Sequence, residues 1–242
     1  MFAEDEAALI VEAATSPDEL ESMVASRVSG LPLEQVLGWA EFCGLRIVVD
    51  PGVFVPRRRT ALLVEQTIAL LEGVRAPVVV ELCCGSGAVA AAVHAARPDV
   101  ELHASDIEPR AVHCARRNLD GIGSVHEGDL TDALPLDLAG RVDVIVVNAP
   151  YVPSDEIAMM PPEARDHEPR IALDGGGEGV DVHRRIAEQA PRWLRPGGHL
   201  VVETSLRQAP LTVDAVTRHG FDARVVRCDD LDATAVIGRF RR

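Results

Sequence analysis

From residue 77 onward, short apolar runs alternate with stretches of helical spacing, and this alternation limits the fold more than any other property of the sequence. Val78–Leu82, residues 100 to 104, Val142–Val147 and residues 199 to 203 have the length and β-branched content of buried strands. Between them lie helical stretches at Ala88–Ala96, residues 109 to 119 and residues 182 to 193. Strands that are apolar along nearly their whole length are covered on both faces, so they predict a mostly parallel sheet with helices on either side. Sheets of this kind bind ligands beyond the carboxyl ends of their strands. The residues just after each apolar run are therefore the first candidates for function.

Upstream the pattern differs. Residues 3 to 14 and 17 to 28 read as short helices, the second announced by Ser16 as N-cap, Pro17 in the first turn, and the early acids Asp18 and Glu19. Residues 32 to 37 add a further turn. Residues 42 to 49 and 53 to 55 read as two strands about an Asp50-Pro51-Gly52 turn, and residues 60 to 72 return to helical spacing. At 242 residues the chain is expected to form one α/β domain with a small appendage. The expected divisions are a helical segment over 1–40, a β-hairpin linker over 41–56 and the main domain over 57–242.

The net charge of −14 argues against the phosphate backbone of a nucleic acid as main partner. Arg57, Arg58 and Arg59 form a local basic run, read either as a site for an anionic partner or as a solvated face. The sequence holds no lysine, which removes Schiff-base chemistry and a P-loop lysine. Five cysteines without a C-x-x-C pair speak for free thiols and against a zinc site. No run approaches the roughly 18 apolar residues of a membrane span. Residues 2 to 12 carry acids and no cationic region, so a cytoplasmic location is expected.

The first strand runs into Glu81, Leu82, Cys83, Cys84, Gly85, Ser86 and Gly87, and a helix comes next. Glycines there let a backbone approach a ligand closely and aim helix N-terminal N–H groups at it. Asp106 ends the second strand, nineteen residues after Gly87, where a carboxylate can accept both hydroxyls of a ribose. Together these indicate a nucleoside-containing cofactor, although Gly85, Gly87 and Ala90 also satisfy the dinucleotide G-x-G-x-x-A pattern. Glu81 adds a carboxylate suited to a cationic amine, and Asp129 with Leu130 places another acid near an adenine. Such an acid-lined pocket fits a sulfonium and an α-amino group better than a pyrophosphate.

Asn148, Ala149, Pro150 and Tyr151 end the Val142–Val147 run. A planar nitrogen with two N–H bonds is fixed by two in-plane acceptors, and this segment offers the Asn148 side-chain carbonyl and the Ala149 backbone carbonyl. Pro150 restricts the backbone on either side of its own nitrogen, and Tyr151 can cover the planar group. A strand-ending turn is the other reading of these residue types.

Residues 81 to 90 resemble motif I of class I S-adenosylmethionine-dependent methyltransferases, and Asn-Ala-Pro-Tyr resembles their Asn-Pro-Pro-Tyr motif for methylating planar nitrogen. The resemblance extends to the release-factor glutamine N5-methyltransferases. It runs in order through residues 32 to 38, Glu41-Phe42 with Gly44-Leu45, Pro51-Gly52-Val53, Val55-Pro56-Arg57 with Thr60, Glu168-Pro169 with residues 172 to 176, and Pro196-Gly197-Gly198. It implies a Rossmann-like, mostly parallel seven-stranded sheet, S-adenosyl-L-methionine as cofactor, and methyl transfer to the glutamine amide of a Gly-Gly-Gln motif in class I peptide chain release factors. The expected cofactor residues are Glu81, Cys83, Cys84, Gly85, Ser86, Gly87, Asp106, Ile107, Asp129, Leu130 and Asn148. The expected substrate residues are Arg57, Asn148 and Tyr151, with Asn148 to Tyr151 as the catalytic clamp and no metal.

Three departures from the family pattern stand out. About thirty residues precede Pro32, where family members have a longer helical domain that holds the protein substrate. Pro56-Arg57-Arg58-Arg59-Thr60-Ala61 replaces Pro-Arg-Pro-Glu-Thr-Glu, and Ala149 replaces the first proline of the acceptor motif. Open beside this reading stand N-methylation of a small metabolite, a ribosomal protein or a nucleobase, a nicotinamide oxidoreductase, and a non-catalytic cofactor-binding partner.

Overall fold

The computed structural model describes residues 3–241; residues 1, 2 and 242, which end two of the expected divisions, lie outside it. The chain begins with helices α1 (Ala3–Ala13), α2 (Pro17–Val28) and α3 (Leu33–Leu37). Ser16 caps α2 in extended conformation, its hydroxyl oxygen accepting the Glu19 N–H at 3.2 Å. A hairpin comes next, β1 (Trp39–Phe42) and β2 (Leu45–Val48).

This hairpin corrects the expected strands at 42–49 and 53–55 and the expected linker at 41–56. The reversal is at Cys43 and Gly44, with φ of 51° and 77°, and the Gly44 N–H is held by Glu41 Oε1 at 2.7 Å. Two central residues at positive φ are what a two-residue hairpin turn requires, but Cys-Gly lacks the Asn-Gly or Asp-Gly signal that announces one. The Asp50-Pro51-Gly52 turn does form, with the Val53 N–H donating to the Asp50 carbonyl at 3.1 Å. Instead of a second strand, an irregular segment leaves this turn, and its Val55 packs on Ala40 and Val49.

Helix α4 (Ala61–Leu70) leads into the alternating region: β3 (Val78–Leu82), α5 (Ala88–Ala96), β4 (Glu101–Asp106), α6 (Pro109–Asn118), β5 (Ser124–Glu127) and β6 (Val142–Val147). Then come α7 (Pro162–His167), α8 (Asp181–Gln189), β7 (Leu194–Thr204), α9 (Ala209–Arg218), β8 (Phe221–Cys228) and β9 (Ala233–Phe240). One seven-stranded sheet has the order β5-β4-β3-β6-β7-β9-β8, parallel throughout except that β9 opposes both neighbours. The mostly parallel seven-stranded sheet expected from the sequence is present.

Each central strand supplies both faces. Val79, Val144 and Val201 pack with Leu63, Val89 and Val93 of α4 and α5, while Val80, Ile145 and Leu200 pack with Ile186, Trp193 and Val216. Asp143 interrupts its apolar run without cost to the sheet, because its carboxylate accepts the Val78 N–H at 2.8 Å and pairs with Arg195. Strand order reverses between β3 and β6, so the crevice beyond their carboxyl ends lies between the glycine turn and Asn148.

Candidate active site

Beyond β3 the chain turns through Cys83, Gly85 and Gly87, at φ of 53°, 54° and 75°, before entering α5. A cavity of about 510 Å³ opens on this turn and reaches the end of β6. A Cβ on Gly85 would meet only Phe54, at 4.0 Å, so the glycine leaves an open slot above the turn. Gly87 departs from its expected place in the cofactor site. It lies outside the cavity lining, and a Cβ there would come within 3.2 Å of Leu119 and 3.3 Å of Ala115, so its task is to let α5 approach α6. Ser86 is 2 % exposed but lines the cavity with Cys83 and Cys84, whose thiols burial pushes up in pKa and so keeps protonated.

The acids of this half are committed in part to the chain itself. Asp106 accepts the Gly85 N–H on Oδ2 at 2.8 Å and the Glu108 N–H on Oδ1 at 2.9 Å, which leaves each oxygen a lone pair for a hydroxyl. Glu81, 4 % exposed, accepts the Ala90 N–H at 2.8 Å and so caps α5, whose own N-cap, Gly87, has no side chain. Burial pushes its carboxyl up to about 8, against the lowering effect of the helix N–H groups. Asp129 pairs with Arg185 at 2.6 Å, a partner on α8 that nothing in the sequence pattern announced. Leu130 is buried at φ 51° with its carbonyl held by the Ser105 hydroxyl at 3.0 Å, and Ile107 stands 46 % exposed at the rim.

Asn148 to Tyr151 close the opposite side. The Asn148 Nδ2 donates to Thr60 Oγ1 at 3.3 Å, which occupies the amino end of the amide and leaves Oδ1 as the end that can accept. Ala149 lines the cavity although its methyl belongs to the core layer. The Tyr151 hydroxyl donates to Glu203 Oε1 at 3.3 Å, and the Arg59 guanidinium lies 5.9 Å from the centre of its ring. Burial first, then the Glu203 charge, pushes the phenol up to about 12.

The arginine run is not a free basic patch. Arg57 Nη2 pairs with the buried Glu168 at 2.6 Å and Arg59 Nε with the buried Glu203 at 3.1 Å, while Arg58 is exposed. Arg57 and Arg59 line the cavity, and Arg57 also stacks on Phe54. The glycine-rich segment 174–179, which composition suggests is flexible, is packed tightly. Cβ atoms on Gly175 and Gly179 would come 2.7 Å from Tyr151 Cα and 2.3 Å from the Tyr151 carbonyl oxygen. These glycines are required for close approach to the backbone at Tyr151. Thr60, Glu203, Arg185 and Gln208 are the site-shaping residues that sequence reasoning gave no site role, because each acts on a partner distant in the chain.

A family model described as "Methyltransferase small domain" matches residues 44–161. The release factor glutamine methyltransferase of Geobacter sulfurreducens is 38 % identical over 212 residues, covering 85 % of this chain and 73 % of that protein. That of Mycolicibacterium smegmatis is 41 % identical, covering 87 % and 75 %. The 4-amino-L-phenylalanine/4-methylamino-L-phenylalanine methyltransferase of Streptomyces pristinaespiralis is 35 % identical, covering 91 % and 78 %. Among solved structures, a methyltransferase from Pyrococcus furiosus superposes with a TM-score of 0.60 at 16 % identity, over 92 % of this chain and 100 % of that one, a likeness of fold. With its glycine turn and its segment at residues 148 to 151 facing one cavity, and with relatives matching along most of its length, the chain belongs to the release factor glutamine methyltransferase family.

Proposed function

We propose that this enzyme transfers a methyl group from S-adenosyl-L-methionine to the side-chain amide nitrogen of the glutamine in the Gly-Gly-Gln motif of a class I peptide chain release factor. One observation carries the reading: the Asn148 amide, its amino end held by Thr60, stands on the same cavity as the glycine turn. The donor set supports the cofactor. Asp106 keeps lone pairs for ribose hydroxyls, the Gly85 slot admits a ligand against the backbone, and Glu81 lines the same cavity. S-adenosyl-L-methionine would supply a methyl group on a positively charged sulfur.

The chain's own residues supply orientation. An amide nitrogen is a weak nucleophile because its lone pair is delocalised into the carbonyl. Asn148 Oδ1 and the Ala149 carbonyl accept its two N–H bonds and leave its face free to pyramidalise toward the methyl group. As the nitrogen–carbon bond forms and the sulfur–carbon bond breaks, positive charge moves to nitrogen, one N–H becomes acidic, and its proton passes to solvent. Tyr151 packs on the amide plane. Helices α2 and α3 reach the acceptor side: Glu34 of α3 and its N-cap Pro32 line the cavity, and Arg27 of α2 pairs with Glu163 of α7 at 2.6 Å. This acceptor implies a cytoplasmic site of action.

A second reading, methylation of an aromatic amine on a small amino acid, is favoured by the Streptomyces pristinaespiralis relative. Incubation of the enzyme and labelled S-adenosyl-L-methionine with purified release factor, and separately with 4-amino-L-phenylalanine, decides between the two. Label on the release factor alone supports the first reading, and label on the small amine alone overturns it.

A further inference from the structure

Behind the acceptor segment stands a side-chain amide that the transfer scheme does not use. Gln208, 3 % exposed at the start of α9, donates from Nε2 to the Tyr151 carbonyl at 2.7 Å and to the Glu178 carbonyl at 3.0 Å. Its Oε1 accepts the Ser205 hydroxyl at 2.6 Å, and Ser205 Oγ in turn accepts the Gln208 N–H at 3.2 Å. The Ser205 proton is thereby committed to Oε1, which fixes the orientation of the amide and sends both of its donors to the two carbonyls. Gly179 leaves room for this arrangement, since a Cβ there would stand 2.1 Å from Gln208 Nε2. On the other side of Tyr151, the Val152 N–H donates to the Leu173 carbonyl at 3.0 Å and the Val152 carbonyl accepts the Gly175 N–H at 2.8 Å. The backbone leaving Pro150 is therefore gripped from two directions.

We propose that Gln208 is a positioning residue for the methyl acceptor, holding the Tyr151 carbonyl so that the Ala149 carbonyl and the Tyr151 ring keep a fixed distance from the reacting nitrogen. The proposal rests on the reading of Asn148 to Tyr151 as the acceptor clamp. Gln208 lines neither half of the cavity, so it acts through Tyr151. Small displacements of orienting groups are costly to turnover, whereas the cofactor half, built on β3 and β4, does not depend on this grip.

Gln208→Met keeps length and neutrality and removes both donors. With release factor as acceptor, kcat should fall at least about tenfold while KM for the acceptor and Kd for the cofactor stay within about twofold. A second readout needs no acceptor. Tyr151 is the only tyrosine in the chain, so tyrosinate absorbance after a rapid alkaline pH jump reports on it alone. Its ionisation, raised to about 12 in the wild type, should fall toward the ordinary tyrosine value of about 10 as the ring loosens from its buried seat and from Glu203. Ser205→Ala, which keeps both Gln208 donors and frees their orientation, should shift both readouts in the same direction by less, and it decides the matter if Gln208→Met does not fold. Wild-type kcat and an unshifted titration would overturn the proposal, as would a cofactor Kd that weakens in step with kcat. If wild-type enzyme leaves the release factor unmethylated, the proposed acceptor falls, and the titration still decides the role of Gln208.

Discussion

Replacing Asn148 with alanine separates catalysis from cofactor binding. In the structure the Asn148 side chain makes one hydrogen bond, to Thr60 at 3.3 Å, a long neutral contact worth about 1 kcal/mol or less to stability. The fold therefore survives the change with a small shift in melting temperature. In the reaction the loss is larger, because Oδ1 is one of two acceptors on the nitrogen and its bond strengthens as that nitrogen gains positive charge. Removing one preorganised polar group aimed at developing charge costs about 10²–10³ in kcat, or roughly 3–4 kcal/mol. The cofactor half, Gly85 and Asp106 with Glu81, is untouched, and a single neutral hydrogen bond from Asn148 to the cofactor would account for about 0.5–1.5 kcal/mol, roughly tenfold or less in Kd. Single-turnover transfer of labelled methyl beside calorimetric cofactor binding gives both numbers. A kcat within about threefold of wild type, or a Kd loss equal to the kcat loss, refutes the acceptor-clamp reasoning.

Thr60→Val removes the hydroxyl that holds the Asn148 amino group, so the amide turns freely. A hydrogen bond of about 1 kcal/mol predicts a loss of about three- to tenfold in kcat, far milder than Asn148→Ala. Glu81 has a carboxyl raised to about 8 from 4.5, so the folded state holds its proton more tightly than the unfolded chain. Its stabilising contribution is complete below about pH 4.5 and is lost as pH rises through about 8, on the order of a few kcal/mol. In denaturant unfolding across that window, wild-type stability should fall relative to Glu81→Gln. His183, lowered to about 4 by burial, acts with opposite sign at lower pH in both proteins and cancels in the comparison. Within the glycine-rich segment, Gly179→Ala should lower both melting temperature and turnover, because its φ is +71° and its Cβ would meet Gln208 Nε2 at 2.1 Å. Gly177→Ala, facing open space, should leave both unchanged in the same assays.

Local signals carried most of the fold. The buried strands β3 and β6 and the helix α5 were legible because apolar runs and glycine punctuation are properties of neighbouring residues, and the number of strands, seven, came from the family resemblance. The carboxyl-terminal α9, β8 and β9 were not placed from pattern: β8 is an edge strand whose short alternation, Phe221 to Val225, shifts phase at Val226. The hairpin was misplaced because Cys43 adopts the positive φ usually given to Asn or Asp. In the site, Asp106 and Asn148 to Tyr151 were legible as motifs that the structure brings to one cavity, whereas the partners that hold them were not. Thr60 lies 88 residues from Asn148, and Glu203 and Gln208 lie 52 and 57 residues from Tyr151. Such pairings arise from sheet order, which places the ends of β6 and β7 side by side. The arginine run misled for a related reason: Glu168 and Glu203, distant in the chain, neutralise Arg57 and Arg59.

The most direct test is to map the methyl group on a purified class I release factor after incubation with the enzyme and S-adenosyl-L-methionine, beside the same factor carrying Gln→Ala in its Gly-Gly-Gln motif. A single methyl on that glutamine side-chain amide, absent from the Gln→Ala factor, is the predicted result. Methylation at another residue, equal methylation of both factors, or transfer only to a small amine contradicts it.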